Sequence, residues 1–506
     1  MNELPTELTV HIFHYIDLRS LVRCRQVCRT WNEAIQCDLG LLYKQELAVA
    51  GLEDGNSETD VAERLRLLRK HQEAWDNLEF TDDFVIDMHP HPFLSWELQG
   101  GVLSQQTTMR SISFRQIPSK VRGIAKKEWS IADLDIMFVD FGLDPSQDLL
   151  VLAEGSDLNN PDAHHIHLRT LTNGVRHPLA SNSVLQYESK HPHYDHNIRI
   201  SGDYLAICWE DCLLVVWEWK SGEIRLAMTG PLLTFAFLPN NFILIPRQDE
   251  VDIIAIDLTQ AAVNGAPYSP EIDTAVSVSD LYYHCAFGLP PLAPGYKIND
   301  LEMRYDPQPS CHPTESPPVP FRTTHDGDNL IVLYVTIVKD GSSTLPRFFI
   351  RTTSIMQRLV ATPAYSKDAK LPWHTWGPSS CWVDPSNRDN PGTWPRNVFG
   401  TKYVELQFKR IGFPEPSAVV FADFNQLKYR KSMTTSDSEE ACSSDVGGFA
   451  PPFREPVITS LSWREKRLSL KREAMEPHRA ALVCEDAIVI PQPSPDYTIQ
   501  FRVMSI

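Results

Sequence analysis

The order of apolar and polar residues divides the chain into a short helical part and a much longer part built of strands. In residues 4–45, apolar side chains recur every three or four positions, and Leu8, Ile12 and Ile16 form one continuous stripe, as on an amphipathic helix. Asp17 is placed to cap a second helix, and a third apolar stripe follows it. The pattern therefore predicts three short helices.

Large apolar side chains gather at one edge of this helical module, at Leu4, Pro5, Leu8, Ile12 and Phe13. A module of about 40 residues buries little surface, so it is marginally stable without a partner or a supporting domain. An apolar patch that stays exposed on such a module usually marks a contact with another protein. This edge is therefore a candidate interface.

A second helical segment, residues 61–77, follows a short acidic and polar stretch at residues 51–60, which we interpret as a loop. From Phe84 onward the period changes to two residues, and short runs rich in β-branched and aromatic residues alternate with turns. These runs are residues 136–141, 149–153, 205–209, 213–219, 242–245, 251–256, 330–338 and 419–424. The period predicts a large antiparallel β domain.

The repeat is clearest in residues 201–228, where turns at Gly202, Asp211 and Gly222 separate three strand-like runs. This unit resembles one blade of a WD-repeat β-propeller, although its counterparts are irregularly spaced and the repeat is degenerate. At about 45–60 residues per blade, residues 84–506 would hold about seven blades. An array of two-sheet sandwiches is the alternative, but a closed propeller is favoured because it leaves no long open sheet edges.

The fold class expected from these patterns is a multidomain α plus all-β protein. The predicted parts are a helical domain, a loop with a linker helix, and a propeller-like β domain, at residues 1–50, 51–80 and 81–506. Two proline-rich stretches, residues 289–320 and 373–397, are interpreted as loops. Residues 432–448 are polar and acidic, and we expect them to form a disordered loop.

Charge and composition narrow the choice of location and ligand. The formal net charge of −18 disfavours binding to nucleic acid or to anionic membranes, both of which attract basic surfaces. No apolar run approaches the ~18 residues that a membrane span needs, and the first residues do not resemble a secretory signal. The ten cysteines have no compact disulfide spacing. We therefore expect an intracellular protein, in the cytoplasm, the nucleus or both.

The sequence shows no convincing pattern among the catalytic and cofactor motifs. It contains no G-x-S-x-G, G-x-x-x-x-G-K, H-E-x-x-H or C-x-x-C pattern, so we expect neither enzyme activity nor a cofactor. Histidines cluster at residues 89–91, 164–167 and 191–196. They lack accompanying thiolates or ordered carboxylates, so loop and surface positions are favoured over a metal site.

A group of tryptophans is the candidate for contact with a target protein. Its members are Trp373, Trp376, Trp382 and Trp394. Tryptophan anchors protein interfaces because it combines a large apolar area with few rotatable bonds. The alternative is that these rings fill the core of the propeller or stack on neighbouring prolines.

The joint spacing of Leu-Pro, Val-Cys-Arg and Trp in the helical module is more specific than its periodicity. The pattern consists of Leu4-Pro5, Leu8, Ile12-Phe13, Ile16-Asp17, Leu21, Cys24-Arg25, Val27-Cys28-Arg29 and Trp31-Asn32. It resembles the F-box family, in which leucine usually stands at the position of Ile16. The resemblance implies docking onto the Skp adaptor, which links the module to a cullin scaffold and a RING subunit. The implied docking residues are Leu4, Pro5, Leu8, Ile12, Phe13, Ile16, Leu21, Val27, Cys28 and Trp31.

The resemblance and the β domain together suggest a substrate receptor of an SCF-type cullin–RING ubiquitin ligase. The module would dock onto the adaptor, and the β domain would bind the protein to be degraded. For the module alone, the alternative is that the same residues are only the core of a small helical bundle. For the whole protein, the alternatives are an F-box scaffold without a ubiquitination role and an enzyme with a site in its propeller. The sequence does not identify the target.

Overall fold

The structure is a computed structural model that describes most of the 506 residues. Its helices lie mainly where the sequence has a helical period, and its strands lie where the period is two residues. The described residues are 4–87, 95–155, 163–188, 196–209, 213–231, 234–260, 262–263, 266–267, 275–309, 318–324, 327–363, 370–383, 396–408, 416–433, 441–442, 452–470, 480–493 and 499–506. The helices are α1 (Thr6–Tyr15), α2 (Leu18–Cys24), α3 (Arg29–Cys37), α4 (Leu39–Ala50), α5 (Val61–Asn77), α6 (Thr352–Ala361), α7 (Trp373–Trp376) and α8 (Gln426–Met433). In the described part of the chain, no helix is long and apolar enough to cross a membrane.

Side-chain caps fix where three of the first five helices begin. The Asp17 carboxylate accepts a hydrogen bond from a backbone N–H of the first turn of α2, and Asp38 and Asp60 do the same for α4 and α5. Each cap satisfies one of the N–H groups that have no partner within the helix. Helix α4 ends at Gly51, whose φ of 71° is the left-handed conformation that glycine adopts at little cost.

Seven sheets of the described residues are each built on four antiparallel strands, and we number these sheets as blades. Blade 1 contains Trp96–Gln99, Val102–Thr108, Ser111–Gln116 and Lys127–Ile131; blade 2 contains Phe138–Asp144, Leu149–Glu154, Ala163–Thr170 and Val184–Glu188; blade 3 contains His196–Ser201, Tyr204–Trp209, Leu213–Glu218 and Glu223–Thr229. Blade 4 contains Ala236–Leu238, Phe242–Arg247, Asp252–Asp257 and Cys285–Gly288; blade 5 contains Lys297–Tyr305, Leu330–Lys339, Arg347–Arg351 and Cys381–Val383; blade 6 contains Val398–Phe399, Lys402–Phe408, Pro416–Asp423 and Trp463–Ser469.

Blade 7 closes the ring, because it joins strands from the two ends of the β domain. It contains Leu482–Val483, Ala487–Pro493, Ile499–Ser505 and Asp82–Asp87. Asp82–Asp87 pairs antiparallel with Ile499–Ser505 over six residues on each strand. Short additional strands are Val276–Ser277 on blade 3, Lys370–Leu371 on blade 4, Ser342–Thr344 on blade 5, Ala441–Cys442 on blade 6, and a small sheet of Ala262–Val263, Ala266–Pro267 and Leu281–Tyr282.

The hydrophobic core of the propeller consists of seven clusters, and each cluster takes buried side chains from two neighbouring blades. Phe114 of blade 1 and Leu150 of blade 2 share one cluster, and Leu98 of blade 1 and Val489 of blade 7 share another. Because every blade packs on the next and the seventh packs on the first, the sheets form a closed seven-bladed propeller. The predicted propeller is therefore confirmed, and the sandwich array is excluded.

Three stretches interpreted as loops contain strands or helices. Lys297–Tyr305 is the first strand of blade 5, although prolines on either side obscure its pattern in the sequence. Helix α7 and the strand Cys381–Val383 lie in the second proline-rich stretch. Leu52–Asp54, in the polar stretch after α4, pairs with Phe321–Thr323. In the region of the expected acidic loop, only its first two residues and the strand Ala441–Cys442 lie among the described residues.

Candidate interaction surfaces

The helical module has its own small core. Phe13, Leu21, Ile35 and Leu41 are buried together where α1, α2, α3 and α4 meet. The Trp31 ring packs edge-on against Phe13, with 5.4 Å between the ring centroids. This core fixes the orientation of α1 because one face of that helix is held against its neighbours.

The other face of α1 is apolar and exposed. Leu4, Leu8 and Ile12 are 58%, 51% and 49% exposed, and Val27, between α2 and α3, is 64% exposed. Large apolar side chains rarely remain this exposed together on an isolated protein unless the surface binds something. The module thus presents an apolar surface that the rest of the chain leaves uncovered.

The structure divides the ten residues implied to dock on the adaptor into three groups. The exposed group is Leu4, Pro5, Leu8, Ile12, Val27 and Cys28; the partly buried group is Ile16 and Trp31; the buried group is Phe13 and Leu21. Phe13 and Leu21 belong to the core of the module, on which the helices that carry the exposed residues pack. Tyr15 on α1 and Val22 on α2 are exposed as well, and the family pattern does not include them.

Helix α4 belongs to both the module and the propeller. Leu41 faces the module core, whereas Tyr43 and Leu47 lie in the cluster shared by blades 6 and 7. The Tyr43 hydroxyl donates a hydrogen bond of 2.6 Å to the carbonyl oxygen of Pro320. Burial is the main reason that the pKa of Tyr43 lies above its ordinary value.

Helix α5 packs into the same cluster and brings a histidine into contact with the propeller. Its Trp75 ring stacks on Phe421 of blade 6, with 5.4 Å between the ring centroids. The His71 ring, which is fully buried, has its Nε2 atom 3.0 Å from Oδ1 of Asp486. Burial lowers the pKa of His71, although Asp486 opposes the effect. His71 is therefore neutral at neutral pH and donates its Nε2–H to the carboxylate.

Asp486 joins the linker helix to two parts of the propeller. Arg122 Nη1 lies 2.8 Å from Asp486 Oδ2, and Arg122 Nε donates to the Phe321 carbonyl at 3.2 Å. Burial alone would raise the pKa of Asp486, but Arg122 and His71 outweigh it and lower that pKa to about 2. We call His71, Arg122 and Asp486 the junction triad. A buried charge with fixed partners of this kind holds the surrounding segments in one arrangement.

All these contacts lie on one face of the propeller. Strands within a blade are antiparallel, so the first-to-second and third-to-fourth connections emerge on one face and the other connections on the opposite face. Asp486 and Phe321 lie in first-to-second connections, and Arg122 and Lys428 lie in third-to-fourth connections. Lys428 Nζ forms a 2.7 Å ion pair with Asp76 of α5. We call this the module face, and the other the opposite face.

A layer of charges crosses the central channel, which the first strands of neighbouring blades line. Arg396, beside the first strand of blade 6, pairs with Glu97 of blade 1 and with Asp306 after the first strand of blade 5. Burial, together with the nearby Arg396, lowers the pKa of Arg199 to about 10. At the module face, Ser201 donates to the Pro309 carbonyl at 2.6 Å. Opposite charges thus tie blades across the channel.

The tryptophan group is mainly part of the propeller. Trp376 is 2% exposed, and its Nε1–H donates to the Gly288 carbonyl at 3.1 Å. Trp373 packs on Phe348, and Trp382 packs on Phe453. Trp394 lies outside the described residues. Trp376 fills the core between blades 4 and 5, and target contact remains a prediction for Trp394 and for the partly exposed Trp373 and Trp382.

Two histidines of blade 2, His165 and His167, lie close to the carboxylate of Glu154. His167 Nε2 lies 2.8 Å from Glu154, and burial lowers the pKa of His167. Within the described ranges, no group of three or more His, Cys, Asp or Glu side chains is arranged to hold a metal ion. His89, His91, His191 and His193 lie outside those ranges.

Comparison with known families identifies the helical module. Residues 1–45 match the family described as F-box-like. The chain therefore carries an F-box-like domain, followed by the seven-bladed propeller. No curated protein matches the chain.

Solved structures that resemble the chain are distant from it in sequence. The WD40 domain of SCAP from fission yeast is 9% identical, with a TM-score of 0.39, and the match covers 84% of this chain and 98% of that one. The WD40 domain from Toxoplasma gondii coronin is 8% identical, with a TM-score of 0.36, covering 84% and 87%. BamB from Moraxella catarrhalis is 10% identical, with a TM-score of 0.30, covering 84% and 100%. The propeller assignment rests on the sheet order and the core clusters of the chain itself.

Proposed function

We propose that this chain is the substrate-recognition subunit of an SCF-type cullin–RING ubiquitin ligase. The F-box-like domain would dock onto the Skp adaptor, and through it onto the cullin and RING subunits. The propeller would hold the target protein. The observation that carries the proposal is the uncovered apolar surface of Leu4, Leu8, Ile12 and Val27 on a domain that matches the F-box-like family.

The size of this surface is compatible with stable docking. Fully burying one large apolar side chain contributes about 1.5–3 kcal/mol, and four such side chains are more than a third exposed. Association costs about 4–15 kcal/mol in lost freedom of motion. Because only about half of each side chain is still exposed, burying the rest would contribute about half of that free energy per side chain and would offset part of the cost.

The role of the chain would be to position a target, with no chemistry of its own. A target held on the propeller has its lysines at high effective concentration near ubiquitin carried by a conjugating enzyme. The junction triad and the cluster around Trp75 support this role, because they fix the F-box-like domain relative to the propeller. The module face is partly occupied by this joint, so we infer that the target binds the opposite face. Such a receptor would act inside the cell.

The adaptor contact can be tested with two matched double variants. In Leu8→Asp with Ile12→Asp, charges replace side chains that are 51% and 49% exposed on α1. In Val175→Asp with Leu179→Asp, charges replace side chains that are 55% and 57% exposed on blade 2. Calorimetry with purified Skp adaptor should show a loss of more than about 100-fold in affinity for the first pair. The second pair should bind like the unmodified protein.

Equal adaptor affinity in all three proteins would show that the docking surface is wrongly assigned. The degradation role is tested separately, in cells that express the unmodified or the α1 variant protein. A receptor predicts that proteins bound by the propeller accumulate on the α1 variant and live longer. A scaffold without a ubiquitination role predicts the same bound proteins with unchanged lifetimes.

A further inference from the structure

Blades 1 and 2 expose an apolar surface on the opposite face. Met109 lies in the turn between the second and third strands of blade 1, and Met137 and Val139 lie where blade 2 begins. They are 45%, 59% and 42% exposed. We call these three residues the methionine patch.

Backbone contacts show that the three residues are neighbours in space. The Phe138 N–H donates to the Met109 carbonyl at 3.0 Å, and the Gly155 N–H donates to the Met137 carbonyl at 3.0 Å. A Cβ atom placed on Gly155 would lie 3.3 Å from Val139 Cγ1. The patch is therefore one surface that spans the first strand of blade 2 and the adjoining turn of blade 1.

The local fold keeps the patch facing outward. Phe138 is fully buried between blades 1 and 2, so the side chains on either side of it point away from that core. The strand pairing shifts register between Phe138 and Asp140, which leaves Val139 as an extra residue in a bulge. Bulges redirect single side chains and are enriched beside functional sites.

Several carboxylates lie near the patch in the chain or in the strand pairing. Asp133 and Asp135 are exposed in the connection that leads to Met137, Asp140 follows Val139, and Glu154 lies opposite Phe138 in the strand pairing. Arg110 is next to Met109 in the chain, and its Nε atom donates to Asp133 at 2.9 Å. His165 and His167 lie within 4 Å of Glu154, and burial lowers the pKa of His167. The rim is therefore predominantly negative at neutral pH.

We propose that the methionine patch binds an extended segment of the target protein in which a large apolar side chain is flanked by lysine or arginine. Methionine adapts its shape to different apolar side chains, and the negative rim attracts and orients the flanking cations. The identification of the occupant as a degradation target rests on the proposed function, whereas binding of the segment does not.

The probe is a synthetic fluorescent peptide with a leucine pair between lysines and arginines. One control peptide carries serines in place of the leucines, and another carries glutamates in place of the cations. The probe should bind the full chain in fluorescence anisotropy, and both control peptides should bind at least about tenfold more weakly. The serine peptide separates patch binding from general attraction to an acidic protein.

Amino-acid substitutions test whether the probe peptide binds at the methionine patch. Met137→Ser with Val139→Ser should weaken probe binding about tenfold, and Asp135→Asn with Glu154→Gln should weaken it and reduce its salt dependence. Val175→Ser with Leu179→Ser, on the other face of blade 2, should leave it unchanged. The α1 variant should also bind the probe normally, so failure of adaptor docking and failure of the patch give different results.

Three results would overturn the assignment. The first is that the unmodified chain does not bind the probe, and the second is that it binds the serine peptide equally well. The third is self-association in light scattering that Met137→Ser with Val139→Ser abolishes, because the patch would then contact a second copy of the chain. Circular dichroism of each variant verifies that it is folded.

Discussion

The two ends of blade 1 show how differently the faces of the propeller are built. At the module face, Arg122 is buried, and it contacts Asp486, Glu485 and the carbonyl of Phe321. At the opposite face, Arg110 is exposed beside Met109, and its partner Asp133 is exposed as well. The chain supplies every partner of the first arginine, whereas the second end remains open to a partner from outside. We infer that the module face fixes geometry and that the opposite face binds.

The largest effect expected from this difference concerns the two arginines. Arg122→Ala leaves the Asp486 carboxylate buried with one partner fewer, which should lower the free energy of unfolding by about 3–5 kcal/mol. Arg110→Ala removes an exposed ion pair and should change the free energy of unfolding by less than about 1 kcal/mol. Urea unfolding of both variants measures the difference. Similar losses in the two variants would contradict the distinction between the faces.

A smaller effect is expected at the two tyrosines of the F-box-like domain. Tyr43→Phe removes the hydrogen bond to the Pro320 carbonyl, which keeps the Gly55 N–H as a donor, so the free energy of unfolding should fall by about 0.5–1.5 kcal/mol. Tyr15 is 79% exposed, and Tyr15→Phe should have no measurable effect on stability. Hydrogen exchange should also become faster in α4 of the Tyr43 variant alone. Unchanged exchange there would show that the hydrogen bond does not hold the joint.

The smallest effect concerns the pH dependence of the joint. The folded chain keeps His71 neutral because burial lowers its pKa, whereas an unfolded histidine binds a proton near pH 6.5. Below about pH 6.5 the unfolded state therefore binds more protons, and the stabilising contribution of the neutral ring is lost as the pH falls. The melting temperature of the unmodified protein should drop more between pH 7.5 and 5.5 than that of His71→Gln, which keeps a side-chain N–H donor. Parallel pH profiles would exclude His71 as the source.

Features that depend on nearby residues could be predicted from the sequence. Asp17 caps α2 as its position suggested, and the three runs in residues 201–228 form three successive strands of blade 3. The F-box-like pattern was recognisable for the same reason, since its residues lie within 45 positions of one another. Lys297–Tyr305 was missed because the prolines around it are a stronger local signal than its own alternation.

Features that depend on distant residues could not be predicted. Leu52–Asp54 becomes a strand only because Phe321–Thr323, more than 250 positions away, supplies its hydrogen bonds. The junction triad likewise combines a helix that precedes the propeller with connections of blades 1 and 7. Neither contact leaves a pattern in the residues around it.

The adjacent residues Ile12 and Phe13 show the same division within one helix. The sequence by itself determined that both are apolar and helical, because helical period and capping depend on residues within a few positions. Only the tertiary structure decided that Phe13 is buried and Ile12 is exposed. The physical reason is that burial depends on which other segments pack against a helix, here α3 and α4, and those contacts form only when the chain folds.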